Sequence, residues 1–124
     1  MRDFRQLKVW TKAHELTLEI YRVTSRFPKE ELYGITSQMR RCSASIPANI
    51  AEGCGRSGDG DFHRFLTMAA GSSVELEYFL LLSHDLGFIK KEAHEVTNRK
   101  VMEVQKMLAV LSRTVNEARR RPGT

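Results

Sequence analysis

Two runs of charge carry most of the chemistry this sequence offers. Arg5, Lys8, Lys12, Glu15, Glu19, Arg22 and Arg26 recur at three-to-four spacing, and Arg99, Glu103, Lys106, Arg113, Glu117 and Arg120 repeat the pattern, extended by Arg119 and Arg121. On helices, that spacing gathers each run onto one face. Basic side chains held in this way neutralise phosphates and release counterions from a nucleic acid. The candidate contacts are therefore Arg5, Lys8, Lys12, Arg22, Arg26, Arg99, Lys106, Arg113, Arg119, Arg120 and Arg121. The competing reading is a solvated face laced with i, i+4 pairs such as Arg99 with Glu103. Aromatic residues are sparse along both runs, so stacking on single-stranded bases is not expected.

Patterns for catalysis are weaker. His14, His63, His84 and His94 form no i, i+4 pair and have no cysteine at zinc-site spacing, so no metal is expected. The nearest nucleophile is Cys54, beside a cluster of glycines at 53, 55, 58 and 60, but no base or orienting group can be assigned to it. No phosphate-cradling loop follows a strand. Neither an enzyme nor a cofactor is expected. Cys42 and Cys54 stand too far apart to bridge within one helix, and the charged start Met1-Arg2-Asp3-Phe4-Arg5 is not a secretory segment. Both features point to a reducing, cytoplasmic setting. The richest apolar run, Tyr78-Phe79-Leu80-Leu81-Leu82, is too short to span a bilayer, and no membrane association is expected.

The elements that position these residues are helical throughout. A chain of 124 residues supports one domain, taken as 1–124 with a short basic tail at 119–124. Asp3 with Gln6 resembles a capping box and opens a first helix reaching Phe27, whose core stripe is Leu7, Trp10, Ala13, Thr17, Ile20, Thr24 and Phe27. Pro28 and Gly34 bracket a connection to a second helix over about 35–54. The third, over about 61–86, is capped by Ser57 or Asp59 and ends at Gly87 with Phe88 folding back in a Schellman motif. The fourth, about 92–119, places Thr97, Val101, Val104, Leu108, Leu111, Val115 and Ala118 at a and d positions. Short connections favour an all-α, up-down-up-down antiparallel four-helix bundle.

Net charge is +5, divided unevenly: +3 over residues 1–27, +1 over 28–57, −4 over 58–87 and +5 over 88–124. That dipolar arrangement suits attraction between subunits as well as binding to polyanions. A second apolar line on the first helix, Val9, Leu16 and Val23, and a third helix apolar almost all round from Leu76 to Leu86 exceed the needs of one small bundle. The surplus predicts a homo-oligomer.

Pro47 falls inside the second helix, where it removes a backbone donor and pushes on the carbonyl of Ser43, so a kink is expected there. Ser45, Asn49 and Glu52 share one side of that helix and are read as polar partners repairing the break, ahead of a reading as a site. With Gly53 they belong to Ser45-Ile46-Pro47-Ala48-Asn49-Ile50-Ala51-Glu52-Gly53. This stretch resembles the signature of the bacterial four helix bundle proteins encoded in intervening sequences of large-subunit ribosomal RNA genes. Further points of likeness are Phe4-Arg5-Gln6-Leu7-Lys8-Val9-Trp10, Phe27-Pro28-Lys29-Glu30-Glu31, Tyr33-Gly34, Gly55-Arg56-Ser57, Phe62 with Arg64-Phe65-Leu66, and Gly71-Ser72 with Glu75-Leu76-Glu77. The family is similar in fold to the accessory protein of diversity-generating retroelements. That resemblance implies a closed pentameric ring, RNA or DNA as a ligand, and a protein partner such as a reverse transcriptase. The function expected is a non-enzymatic, homo-oligomeric scaffold binding nucleic acid through basic faces of helices one and four. A protein-interaction module with no nucleic-acid contact is the alternative.

Overall fold

The computed structural model describes residues 2–120, within which four α-helices and no strand are found. Asp3 caps, but its side chain accepts from the Arg5 N–H at 3.0 Å rather than pairing with Gln6 in a capping box, and the turn it opens is a short 3-10 turn, Phe4–Gln6. The first α-helix, α1, is Lys8–Thr24, so it starts later and stops earlier than its apolar period suggests. The Thr24 hydroxyl donates to the Ile20 carbonyl at 2.7 Å and closes its last turn. A 3-10 turn, Lys29–Glu31, and a π-helical segment, Leu32–Thr36, broken by the non-helical backbone of Gly34, lead to α2, Ser37–Cys54.

The third helix, α3, is Asp59–Asp85, and neither Ser57 nor Asp59 caps it; Gly58 occupies the N-cap without a side-chain bond. Carboxylates of Asp59 and Asp61 in the first turn complement the helix dipole instead. At its other end the expected Schellman motif is present. Gly87 takes φ 81°, Phe88 N–H donates to Ser83 C=O at 2.9 Å, and Gly87 N–H to His84 C=O at 3.0 Å. Phe88 then packs on Phe27 with ring centroids 5.5 Å apart, joining the two connections at that end of the bundle. The last helix, α4, is Lys91–Arg120; Arg121, Pro122 and Gly123 of the basic tail lie outside the described residues.

In space α1 packs on α2, α2 on α3, α3 on α4, and α4 back on α1. The result is the up-down-up-down four-helix bundle. Leu16, Ile20, Met39, Ile46, Ile50, Phe62, Leu66, Leu76, Leu80, Val101, Val104 and Leu108 fill its centre. Val9 and Leu16, read from sequence as surplus, are 4% and 1% exposed and belong to this core. The physical reason is that α1 has two neighbours: one apolar line meets α2, the other turns to α4, and a wide apolar arc is the normal requirement of that position. On α3 the surplus is real, since Val74, Tyr78 and Leu81 remain outside. By length and composition α3 holds an 18-residue stretch, of mean hydropathy 1.3, apolar enough to cross a membrane, which the shorter run at 78–82 did not suggest. In the bundle its Phe62, Leu66, Ala69, Leu76 and Leu80 are core residues.

Pro47 sits within an uninterrupted α2, and the break takes the form of a carbonyl without its intrahelical donor. The partner of the Ser43 carbonyl is the hydroxyl of Thr17 on α1, at 2.9 Å. Repair therefore comes from the neighbouring helix rather than from the signature residues. Asn49 donates to the Ser45 carbonyl at 2.8 Å, and the Ser45 hydroxyl is hydrogen-bonded to Ser72 of α3. Glu52 is exposed and, among the described residues, pairs with Arg56 alone, at 3.0 Å, because its position on the helix faces solvent. Gly53 has a different office. A Cβ there would stand 2.9 Å from both Phe62 Cδ1 and Phe65 Cβ, so its absence lets α3 close against the end of α2.

Candidate nucleic-acid interface

Because α4 returns beside α1, the two charged runs share one seam. Lys12, Glu15, Glu19, Arg22, Lys100 and Glu103 line its middle, with Lys8, Arg99 and Lys106 alongside. Six cations thus face three carboxylates there. Pairing within the seam crosses between the helices. Lys100 Nζ donates to Glu19 at 3.0 Å, Arg22 joins the same carboxylate at 3.1 Å, and Lys12 lies 3.5 Å from Glu103. Lys100, ahead of Arg22, holds the Glu19 carboxyl below its usual range, and partial burial offsets only some of that shift. The i, i+4 pair anticipated between Arg99 and Glu103 does not form, since Glu103 turns to α1. Lys100, one position off the α4 stripe, was not among the candidates, and only the adjacency of the helices shows its part.

The remaining candidates are scattered. Arg5 bonds to Asp3 and lies 4.4 Å over the Phe4 ring. Arg26, just past α1, and Arg120 are exposed. Arg113 lies on the α3 side of α4, beside His63, Thr67 and Ala70. Arg119 leaves the stripe altogether, packing its side chain near Gly60 at the start of α3, because adjacent helical residues point about 100° apart. Arg121 lies outside the described residues. Arg40, which precedes the proline, spans from α2 to the end of α1, donating to the Thr24 hydroxyl at 2.9 Å and covering the Tyr21 ring at 4.7 Å; Arg41 is exposed.

Groups that would carry covalent or metal chemistry are placed for packing. Burial, with Glu75 adding to it, pushes the Cys42 thiol up to about 12, and burial also raises that of Cys54, so neither supplies a thiolate near neutrality. His84 stacks on His94 and His14 on Trp10, both at 5.0 Å. Among the described residues no three His, Cys, Asp or Glu side chains are grouped to hold a metal.

A closed antiparallel bundle with a proline inside its second helix and a mixed-charge seam between its first and last defines a class of small all-α protein. Residues 5–110 match the family described as 23S rRNA-intervening sequence protein, and the chain belongs to that family. A solved structure of similar form is a protein of unknown function from the S23 ribosomal protein family of Bacteroides thetaiotaomicron. The two share 27% identity at a TM-score of 0.76, over 84% of this chain and 97% of that one. No curated protein matches.

Proposed function

We propose that the protein is a non-enzymatic scaffold that assembles with itself, with a pentamer the favoured order, and binds RNA or DNA through phosphate contacts along α1 and α4. One observation supports this most: the α1–α4 seam and its margins bring six lysine and arginine side chains to one side against three glutamates. The surplus is a polyanion surface of the kind that reads backbone charge rather than base sequence. A family named for an insertion in ribosomal RNA is consistent with that ligand, and two buried free cysteines fit a reducing cytoplasm. Repetition around an assembly would strengthen a modest patch by multivalency.

Titration of labelled RNA and DNA against the assembled protein at several salt concentrations tests the reading. Affinity should fall log-linearly with salt and depend little on sequence, and Arg22→Ala with Arg26→Ala should flatten the slope. Folded protein that binds neither polymer near physiological salt refutes it. The second reading, a module that contacts protein alone, draws on the internal pairing of Lys12, Arg22 and Lys100, which leaves fewer cations for phosphates. A protein partner such as a reverse transcriptase, by analogy with retroelement accessory proteins, suits either reading.

A further inference from the structure

Resting on the self-assembly proposed above, we infer that two unlike faces of the bundle mate between copies: the outer stripe of α3 on one copy enters the groove between α1 and α4 on the next. The groove, of about 420 Å³, is walled by Leu7, Val9, Met107, Val110 and Leu111 and flanked by Lys8 and Lys106. The stripe is Val74, Tyr78 and Leu81, which are 58%, 56% and 48% exposed. Their i, i+4, i+7 spacing is that of helix anchors seated in an apolar groove. Size agrees, since the anchors span about 10 Å of helix and the α4 wall from Lys106 to Thr114 about 12 Å.

Charge selects the pairing. Glu75 and Glu77 border the stripe on its two sides and Asp85 closes its end, while the groove carries lysines. A two-fold contact of stripe on stripe would set glutamates against their own copies, and groove on groove would do the same with lysines. Stripe in groove matches opposite signs and covers both apolar surfaces. The two faces lie on different helices of one protomer, so each copy offers both halves and the contact can run head to tail from copy to copy. Lys8 and Lys106 then serve the subunit contact, which narrows the polyanion surface of the assembled protein to Lys12, Arg22, Arg99 and Lys100 and its surplus to four cations against three carboxylates.

Complementation tests this directly. Val110→Asp closes the groove and Tyr78→Asp closes the stripe; both sites are exposed, and circular dichroism with thermal melting verifies that each variant folds. By light scattering each variant alone should fall to the monomer mass, whereas an equimolar mixture should double that mass, because one intact stripe and one intact groove remain. A contact of stripe on stripe or of groove on groove would instead leave one of the two variants at the wild-type mass and the other beyond rescue by mixing. A mixture that stays monomeric, or a variant that keeps the wild-type mass, overturns the stripe-in-groove contact while self-assembly stands. Wild type that is monomeric across micromolar concentrations overturns self-assembly itself.

Discussion

Replacing Thr17 with valine should reveal what holds a proline inside α2. The Thr17 hydroxyl is 2.9 Å from the Ser43 carbonyl and 3.1 Å from the Ala13 carbonyl of its own helix. The second acceptor already receives a backbone N–H in α1; the first has lost its donor to Pro47. Valine keeps the shape and deletes that donor, so a carbonyl of a buried residue is stranded at about 1–3 kcal/mol. For a domain of this size that is roughly 3–5 °C of melting temperature per kcal/mol. The decisive measurement is a double-mutant cycle with Pro47→Ala, which returns an N–H to Ser43. The proline variant has offsetting effects of its own, relief of about 3 kcal/mol of helix penalty against lost packing of about 0.8 kcal/mol per methylene. On that background Thr17→Val should cost at least about 1 kcal/mol less than in wild type. Equal costs on the two backgrounds, within about 0.3 kcal/mol, would show that the hydroxyl is not the proline's substitute donor.

Other substitutions separate the signature's parts. Asn49→Ala should lower stability by about 0.5–1.5 kcal/mol through its bond to Ser45, while Glu52→Ala, losing one exposed ion pair, should stay within about 0.5 kcal/mol; denaturant titration resolves the two. Gly53→Ala should destabilise by about 1–3 kcal/mol through overpacking on Phe62 and Phe65, less up to about 1 kcal/mol of helix propensity regained, and a variant as stable as wild type would contradict the close approach. Because Lys100 and Arg22 depress the Glu19 carboxyl in the fold, their contribution is complete above its ordinary value of 4.5 and is lost as pH falls through the lower folded value. Lys100→Ala should therefore reduce stability at neutral pH and much less in acid, where a pH-independent loss would contradict the ion pair.

Features confined to a few residues of chain were legible in advance, and those that depend on which helices touch were not. Gly87 and Phe88 announced a Schellman motif because both of its hydrogen bonds close within five residues. Asp3 announced a cap for the same reason, although the turn it opened was 3-10. Thr17 could not be recognised as the partner of Ser43, twenty-six positions away, since a threonine in a helix normally bonds back to its own turn. Val9 and Leu16 misled by the same route, because the period of one helix tells the width of its apolar arc and not how many neighbours share it. Glu19 with Lys100, eighty-one positions apart, completes the case.

The distribution of those misses bears on function. Five residues of the signature each find a structural partner or a solvent pair: Pro47 through Thr17, Ser45 through Ser72, Asn49 through Ser45, Gly53 through the phenylalanines of α3, Glu52 through Arg56. Its recognisable pattern is therefore that of a packed backbone, in which small changes are felt strongly. Outer faces carry no such constraint from the core. The ligand and assembly surfaces proposed above lie instead on such outer faces, the seam of α1 and α4 and the stripe of α3. Variants there should alter assembly or ligand affinity with little change in melting temperature, whereas Asn49→Ala and Gly53→Ala should do the reverse.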